Sequence, residues 1–145
     1  MRKLACLAFA ALALGIAAYG SQQSAGRTLK VKLNYTGSGT VDEKHKIVVF
    51  LFDTPEFAQG MPVAAQTAAS KDATVAFEGF DAGTVYLVTA YDPKGEYGEA
   101  QTGPPPSGSS LGMYSKTPGT PEPIKVEPGK PVEVEVAFDD TVRMP

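Results

Sequence analysis

From residue 28 onward the apolar residues recur with a period of two, and that spacing leaves this chain few folds to adopt. Leu29, Val31, Leu33 and Tyr35 point one way while Lys30, Lys32 and Asn34 point the other, the pattern of a strand with one buried face. Val132, Val134, Val136 and Phe138 repeat it against Glu133, Glu135 and Ala137. Segment 46–53 (KIVVFLFD) holds a continuous apolar run, rich in β-branched and aromatic residues and too short for a typical helix, and is expected to be a central strand buried on both faces. Segment 84–92 (TVYLVTAYD) is expected to be a second central strand.

Weaker signals fill the gaps. Val75 and Phe77 mark a short strand, Gly83 a turn, and 63–69 a strand candidate for which a helical turn is the alternative. Residues 124–126 and 132–138 are expected to form a hairpin across Glu127, Pro128, Gly129 and Lys130, where Pro and Gly favour a turn. Beyond the first twenty residues no long helical period appears. About seven short strands separated by turn signals predict an all-β fold, a single β-sandwich domain over 28–145.

One long Pro/Gly-rich loop, 93–123, interrupts that pattern, with Gly103, Pro104, Pro105, Pro106, Ser107 and Gly108 near its middle. Connections of this length in a compact domain are functional or disordered. This one carries Tyr97, Leu111, Met113 and Tyr114, so it is expected to lie ordered across the sandwich. Its apolar residues either plug an open edge or end of the fold or contact a ligand.

The first twenty residues address the chain. Arg2 and Lys3 precede an apolar run over 4–18, and Ala18, Tyr19 and Gly20 supply small residues at a cleavage position before Ser21. This is the layout of a secretory signal peptide, which predicts a periplasmic or extracellular protein. A membrane anchor is the rival reading, but a spanning helix needs roughly 20 apolar residues and this run is shorter. Residues 21–27 are then a flexible N-terminal segment. Cys6 is the only cysteine and leaves with the leader, so a disulfide, a thiol nucleophile and a cysteine metal ligand are all absent from the expected product. The formal charge of −3 becomes −5 once Arg2 and Lys3 are removed, with no Lys or Arg cluster elsewhere. Such a chain is a poor partner for nucleic acid or anionic membranes.

Taken in order, residues 47–53 with Phe57 and Pro62, then Phe77, then Gly83, Thr84, Val85 and Tyr86, then Ala90, Tyr91 and Asp92 carry a resemblance. The chain resembles secreted bacterial sandwich domains of prealbumin-like (transthyretin-like) type, including the carboxypeptidase regulatory-like modules. It is most similar to an uncharacterised family of exported single-domain proteins with an aspartate opening a long loop that later carries Pro and Gly-Tyr-Ser elements. Pro104 to Pro106 and Gly112, Met113, Tyr114 and Ser115 occupy those places. The resemblance implies a Greek-key strand order and spans roughly 29–140; it speaks to fold far more than to function. In that family the loop after the aspartate is often rich in Asp and Asn, as in a calcium loop. Here Asp92, Pro93, Lys94, Gly95 and Glu96 put a lysine where an oxygen ligand would alternate.

Strand directions separately gather carboxylates from different loops. If each connection reverses direction, Asp42 and Glu43, Asp92, and Asp139 with Asp140 fall at one end of the sandwich, and Asp53 at the other. Asp92, Asp139, Asp140 and Asp42 are the metal-ligating candidates, for calcium; the competing reading is that Asp ends strands because it favours turns. Gly108, Ser109, Ser110, Leu111 and Gly112 match the Gly-x-Ser-x-Gly nucleophile elbow, but that motif works only on a strand-to-helix turn with His and an acid beside it, and no helix is predicted there. His45, the only histidine, sits among charged neighbours and reads as a solvated side chain. Asn34, Tyr35 and Thr36 fit a glycosylation acceptor that ends a strand. Tyr86 and Tyr91 are expected to face the core, leaving Tyr97 and Tyr114 as candidate ligand or partner contacts.

Together these features predict a non-enzymatic exported binding or structural module of the cell envelope, engaging an extracytoplasmic protein or surface polymer. A calcium-dependent module and a secreted hydrolase are the second and third readings.

Overall fold

The computed structural model describes residues 26–101 and 103–145. The expected leader over 1–20 and the segment 21–25 lie outside the described residues, whereas Arg27, expected to be flexible, already belongs to a strand. Among the described residues there is no helix; the chain forms eight strands: β1 (Arg27–Tyr35), β2 (Ile47–Phe52), β3 (Ala64–Ala68), β4 (Thr74–Phe80), β5 (Thr84–Tyr91), β6 (Ser110–Met113), β7 (Ile124–Lys125) and β8 (Val132–Phe138). No helix of the described residues is long and apolar enough to cross a membrane.

The strands make two sheets. The first has the order β4-β1-β8, and the second β3-β2-β5-β6, with β7 paired to the start of β5. Period-two patterning explains how they meet: Leu29, Val31, Leu33 and Tyr35 of β1 bury one face, joined by Val134, Val136 and Phe138 of β8 and Val75 and Phe77 of β4. Ile47, Val49 and Leu51 of β2 and Val85, Leu87 and Tyr91 of β5 complete the same core from the second sheet. Each such aliphatic or aromatic side chain contributes about 1.5–3 kcal/mol by leaving water, so this shared core is what holds the two sheets face to face.

Segment 63–69 takes the strand form and not the helical turn: it holds β3, paired antiparallel to β2. Two expectations need correcting. The expected hairpin of 124–126 with 132–138 does not form: β7 pairs with β5 (Val85 opposite Ile124), while β8 crosses to the other sheet and runs parallel to β1. The turn itself is present, with the Lys130 N–H donating to the Glu127 carbonyl at 3.2 Å, but it joins two sheets and not two paired strands. Finally, the long loop 93–123 contains β6. Gly112 fits there because any side chain would run into Phe138 and the Thr89 hydroxyl, so its absence lets β6 close the sandwich beside β8.

Candidate functional site

The carboxylates do gather at one end. Tyr35 ends β1, Tyr91 ends β5, and their rings lie 4.9 Å apart, with Tyr35 also 4.8 Å from Phe138 at the end of β8. Asp42, Asp92, Asp139 and Asp140 follow those strands, and each is engaged by its own surroundings.

Asp140 accepts hydrogen bonds from the Tyr35 hydroxyl (2.5 Å) and the Ser110 hydroxyl (2.7 Å) on Oδ1, and from the Ser38 N–H and hydroxyl (2.9 Å each) on Oδ2. Arg143 approaches Oδ2 at 3.3 Å. The Tyr35 hydroxyl above all, then the Ser38 N–H and the Ser110 hydroxyl, hold the Asp140 carboxyl well below the usual carboxylate range. Burial first, then the bond to Asp140, pushes the Tyr35 phenol up to about 12. Asp92 is 3 % exposed and accepts the N–H groups of Lys94 (2.9 Å), Glu96 (2.8 Å) and Tyr97 (3.1 Å), folding the start of the long loop around itself. Gly95 lies in that turn at φ +71°, against the Lys44 carbonyl, where only glycine is unstrained.

Asp42 accepts the N–H groups of Lys44 and His45 and contacts the His45 ring at Nδ1 (2.9 Å); the ring contact, then these N–H groups, lower its pKa. Asp139 accepts the Thr141 N–H at 2.8 Å, and Thr141 lowers it too. Among the described residues, no group of three or more His, Cys, Asp or Glu side chains is arranged to hold a metal ion. The shared end foreseen from strand directions is there, but its oxygens serve turns and strand ends. Ser110 is fully buried and opens a strand; its hydroxyl proton points to Asp140, while His45 belongs to Asp42.

The more open feature lies on a sheet face. The outer face of the first sheet is polar, with Lys30 opposite Glu133 and Lys32 opposite Glu135, the latter pair 3.9 Å apart. The outer face of the second sheet is apolar: Val48, Phe50 and Phe52 of β2 and Ala90 of β5 form a second buried cluster, flanked by Val88, Leu111, Phe57 and Tyr97. Two loops raise walls around it. The loop after β2 brings Phe57 to 5.1 Å from Phe52, and the loop tied to Asp92 brings Tyr97 edge-on to Phe50 at 6.0 Å. The Tyr97 hydroxyl donates to the Gly103 carbonyl at 2.9 Å, and burial pushes that phenol up.

Between and beyond these walls runs a trough of about 870 Å³, lined chiefly by Phe50, Phe52, Phe57, Val88, Tyr97 and Met113, with Pro104, Pro105 and Pro118 along its rim. That volume falls in the range of ligand sites, about 300–1,000 Å³, and so does the lining: apolar with few polar groups. A smaller hollow of about 530 Å³ at the other end, beside Asp53, Phe80 and Asp81, is built from few side chains and has no aromatic wall comparable to Phe57 and Tyr97.

Of the two tyrosines singled out from the sequence, Tyr97 forms a wall of the trough, whereas Tyr114 packs against the core between the sheets. Tyr91 is buried as expected; Tyr86, expected in the core, is half-buried and alternates onto the opposite face of β5. Phe50, Phe52, Phe57 and Met113 were not foreseen as site residues. The available signal was the continuous apolar run of β2: a strand buried on both faces in a two-sheet protein requires something to cover its outer side.

Comparison with known proteins gives no matching family model, no matching curated protein and no matching solved structure. The class the coordinates define is an all-β protein of two facing sheets, consistent with a β-sandwich, that carries an aromatic trough on one outer face.

Proposed function

We propose that this protein is a non-enzymatic, exported binding module of the cell envelope, a Greek-key sandwich of prealbumin-like type that recognises an apolar group through the trough. The observation that carries this reading is the contrast between the two outer faces: one laced with Lys and Glu, the other aromatic and walled by two loops. The floor of that face is itself buried, with Phe50 5 % and Phe52 7 % exposed, and the walled hollow above it is a concave, mostly apolar space of the kind that takes ligands. Export is supported by the leader-like first twenty residues, and the prealbumin-like type by the sequence resemblance. The absence of enzymatic activity is supported by the engagement of Ser110 with Asp140 and of His45 with Asp42, which leaves those groups serving the fold.

The test is a titration with Nile red, a neutral apolar dye. The native protein is expected to bind it saturably, one per chain, and Met113→Glu, which sets a carboxylate in the apolar lining, is expected to weaken binding by about tenfold or more, since a buried unpaired charge is costly. Binding that does not saturate, or that Met113→Glu leaves unchanged, contradicts the proposal.

A further inference from the structure

The trough ends at a sheet edge. β6 is the last strand of its sheet, and in antiparallel pairing residues alternate between pointing their N–H and C=O at one neighbour and at the other. The Leu111 N–H donates outward to the Val142 carbonyl and the Met144 N–H to the Ser109 carbonyl, both at 2.9 Å. Ser109, Leu111 and Met113 therefore face outward, while Ser110 and Gly112 face β5; the Tyr114 N–H, which donates to the Leu87 carbonyl at 3.0 Å, keeps that alternation. The C-terminal segment covers only the first half of the edge, through a bridge of Ser110 with Arg143. The Leu111 carbonyl and both backbone groups of Met113 lie past it, and among the described residues no backbone group pairs with the Met113 N–H.

The chain's own C-terminus displays what this edge accepts. Val142, 57 % exposed at the margin, and Met144, partly buried, both border the trough two residues apart, while Arg143 between them turns to Asp140 and to the Gly108 carbonyl. An extended chain seated on this edge thus presents every second side chain to the trough. Strand addition at an exposed edge takes affinity from backbone hydrogen bonds and specificity from pockets for alternate side chains. An unpaired edge is otherwise a liability that folds cover or charge.

We infer that the trough receives an extended polypeptide segment with apolar residues at alternate positions, which adds to β6 at Met113 and packs those residues against Leu111 and Met113 at the rim. This rests on the reading of the trough as a binding site. A compact apolar ligand would use the floor at Phe50 and Val88 but would leave the Met113 backbone groups unpaired.

The experiment titrates the full chain with Nile red and, separately, with a lysine-capped peptide of eight residues in which valine and threonine alternate. Two copies of the peptide are N-methylated, one at the valines and one at the threonines. The unmodified peptide is expected to bind and to slow hydrogen exchange at the Met113 amide, and one methylated copy is expected to bind about tenfold more weakly, the loss of one or two backbone hydrogen bonds. Nile red binding with no peptide-dependent protection of Met113, or equal binding by both methylated copies and the parent, overturns strand addition and leaves the trough to a compact ligand. Failure of both probes overturns the binding reading itself.

Discussion

Tyr35 donates its hydroxyl to Asp140 at 2.5 Å across 105 positions of sequence, tying the end of β1 to the chain that leaves β8. Ser110 donates to the same oxygen, so one carboxylate fastens both sheets and β6 at one end of the molecule. Tyr35→Phe keeps the ring between Tyr91 and Phe138 and removes only the donor. Chemical denaturation is expected to show a loss of about 1.5–3 kcal/mol, the range for a hydrogen bond to a charged group, with an unchanged slope. An unaltered midpoint would mean the bond contributes nothing net.

The same pair sets a pH window. Asp140 has a folded pKa depressed below its unfolded value of about 3.9, so its contribution is present above that value and is lost as pH falls toward the folded one. Tyr35 has a folded pKa raised from 10.0 to about 12, so its contribution is present below 10 and is lost as pH rises from there through the folded value. Stability measured by denaturant titration should decline on the acid side below about pH 5 and on the alkaline side above about 10. In Tyr35→Phe both limbs should flatten; identical profiles for the two proteins would count against the assignment.

Asp92 links turn geometry to the trough. Its carboxylate gathers three N–H groups of the loop, the last of them that of Tyr97, whose side chain forms the wall. Asp92→Ala is expected to cost about 2 kcal/mol through its unpaired N–H groups and to weaken Nile red binding, while Asp92→Asn, which keeps one acceptor oxygen, should lose less of both. Equal dye affinity in all three proteins would detach the loop from the site.

Calcium tests the converging carboxylates directly. A ligand at a hundred times its dissociation constant stabilises by about 2.7 kcal/mol, a shift on the order of 10 °C for a domain of this size. Because Asp42, Asp92, Asp139 and Asp140 are each occupied by local donors, thermal melts in calcium, magnesium and chelator are expected to coincide. A rise of that order in calcium alone would show that the loops rearrange around the ion.

β1, β2, β5 and β8 were legible because alternation and continuous apolar runs are local signals. β6 was not: Ser110, Leu111, Gly112 and Met113 sit in a Pro/Gly-rich stretch with weak strand propensity, and what makes them a strand is pairing to β5 and the close approach to Phe138 that Gly112 permits. The pairing of β7 was misread for a related reason. Its turn is encoded by Pro128 and Gly129, but the partner of a two-residue strand is chosen by packing against β5, a long-range contact no local pattern records. Strand directions did foretell which carboxylates share an end; they could not foretell that turn N–H groups and the Tyr35 and Ser110 hydroxyls would occupy them. The trough was hidden because an unbroken apolar run such as residues 47–52 does not reveal which of its side chains face the core and which face outward.

The central claim is that an apolar partner enters the trough, and the methionine methyl groups report on it most directly. Met113 lines the trough, whereas Val31 is fully buried in the core between the sheets and outside that lining. In an NMR titration with Nile red of protein methyl-labelled at methionine and valine, the account predicts that the Met113 signal shifts saturably while Val31 stays in place. Equal movement of both, or movement of Val31 alone, would contradict it.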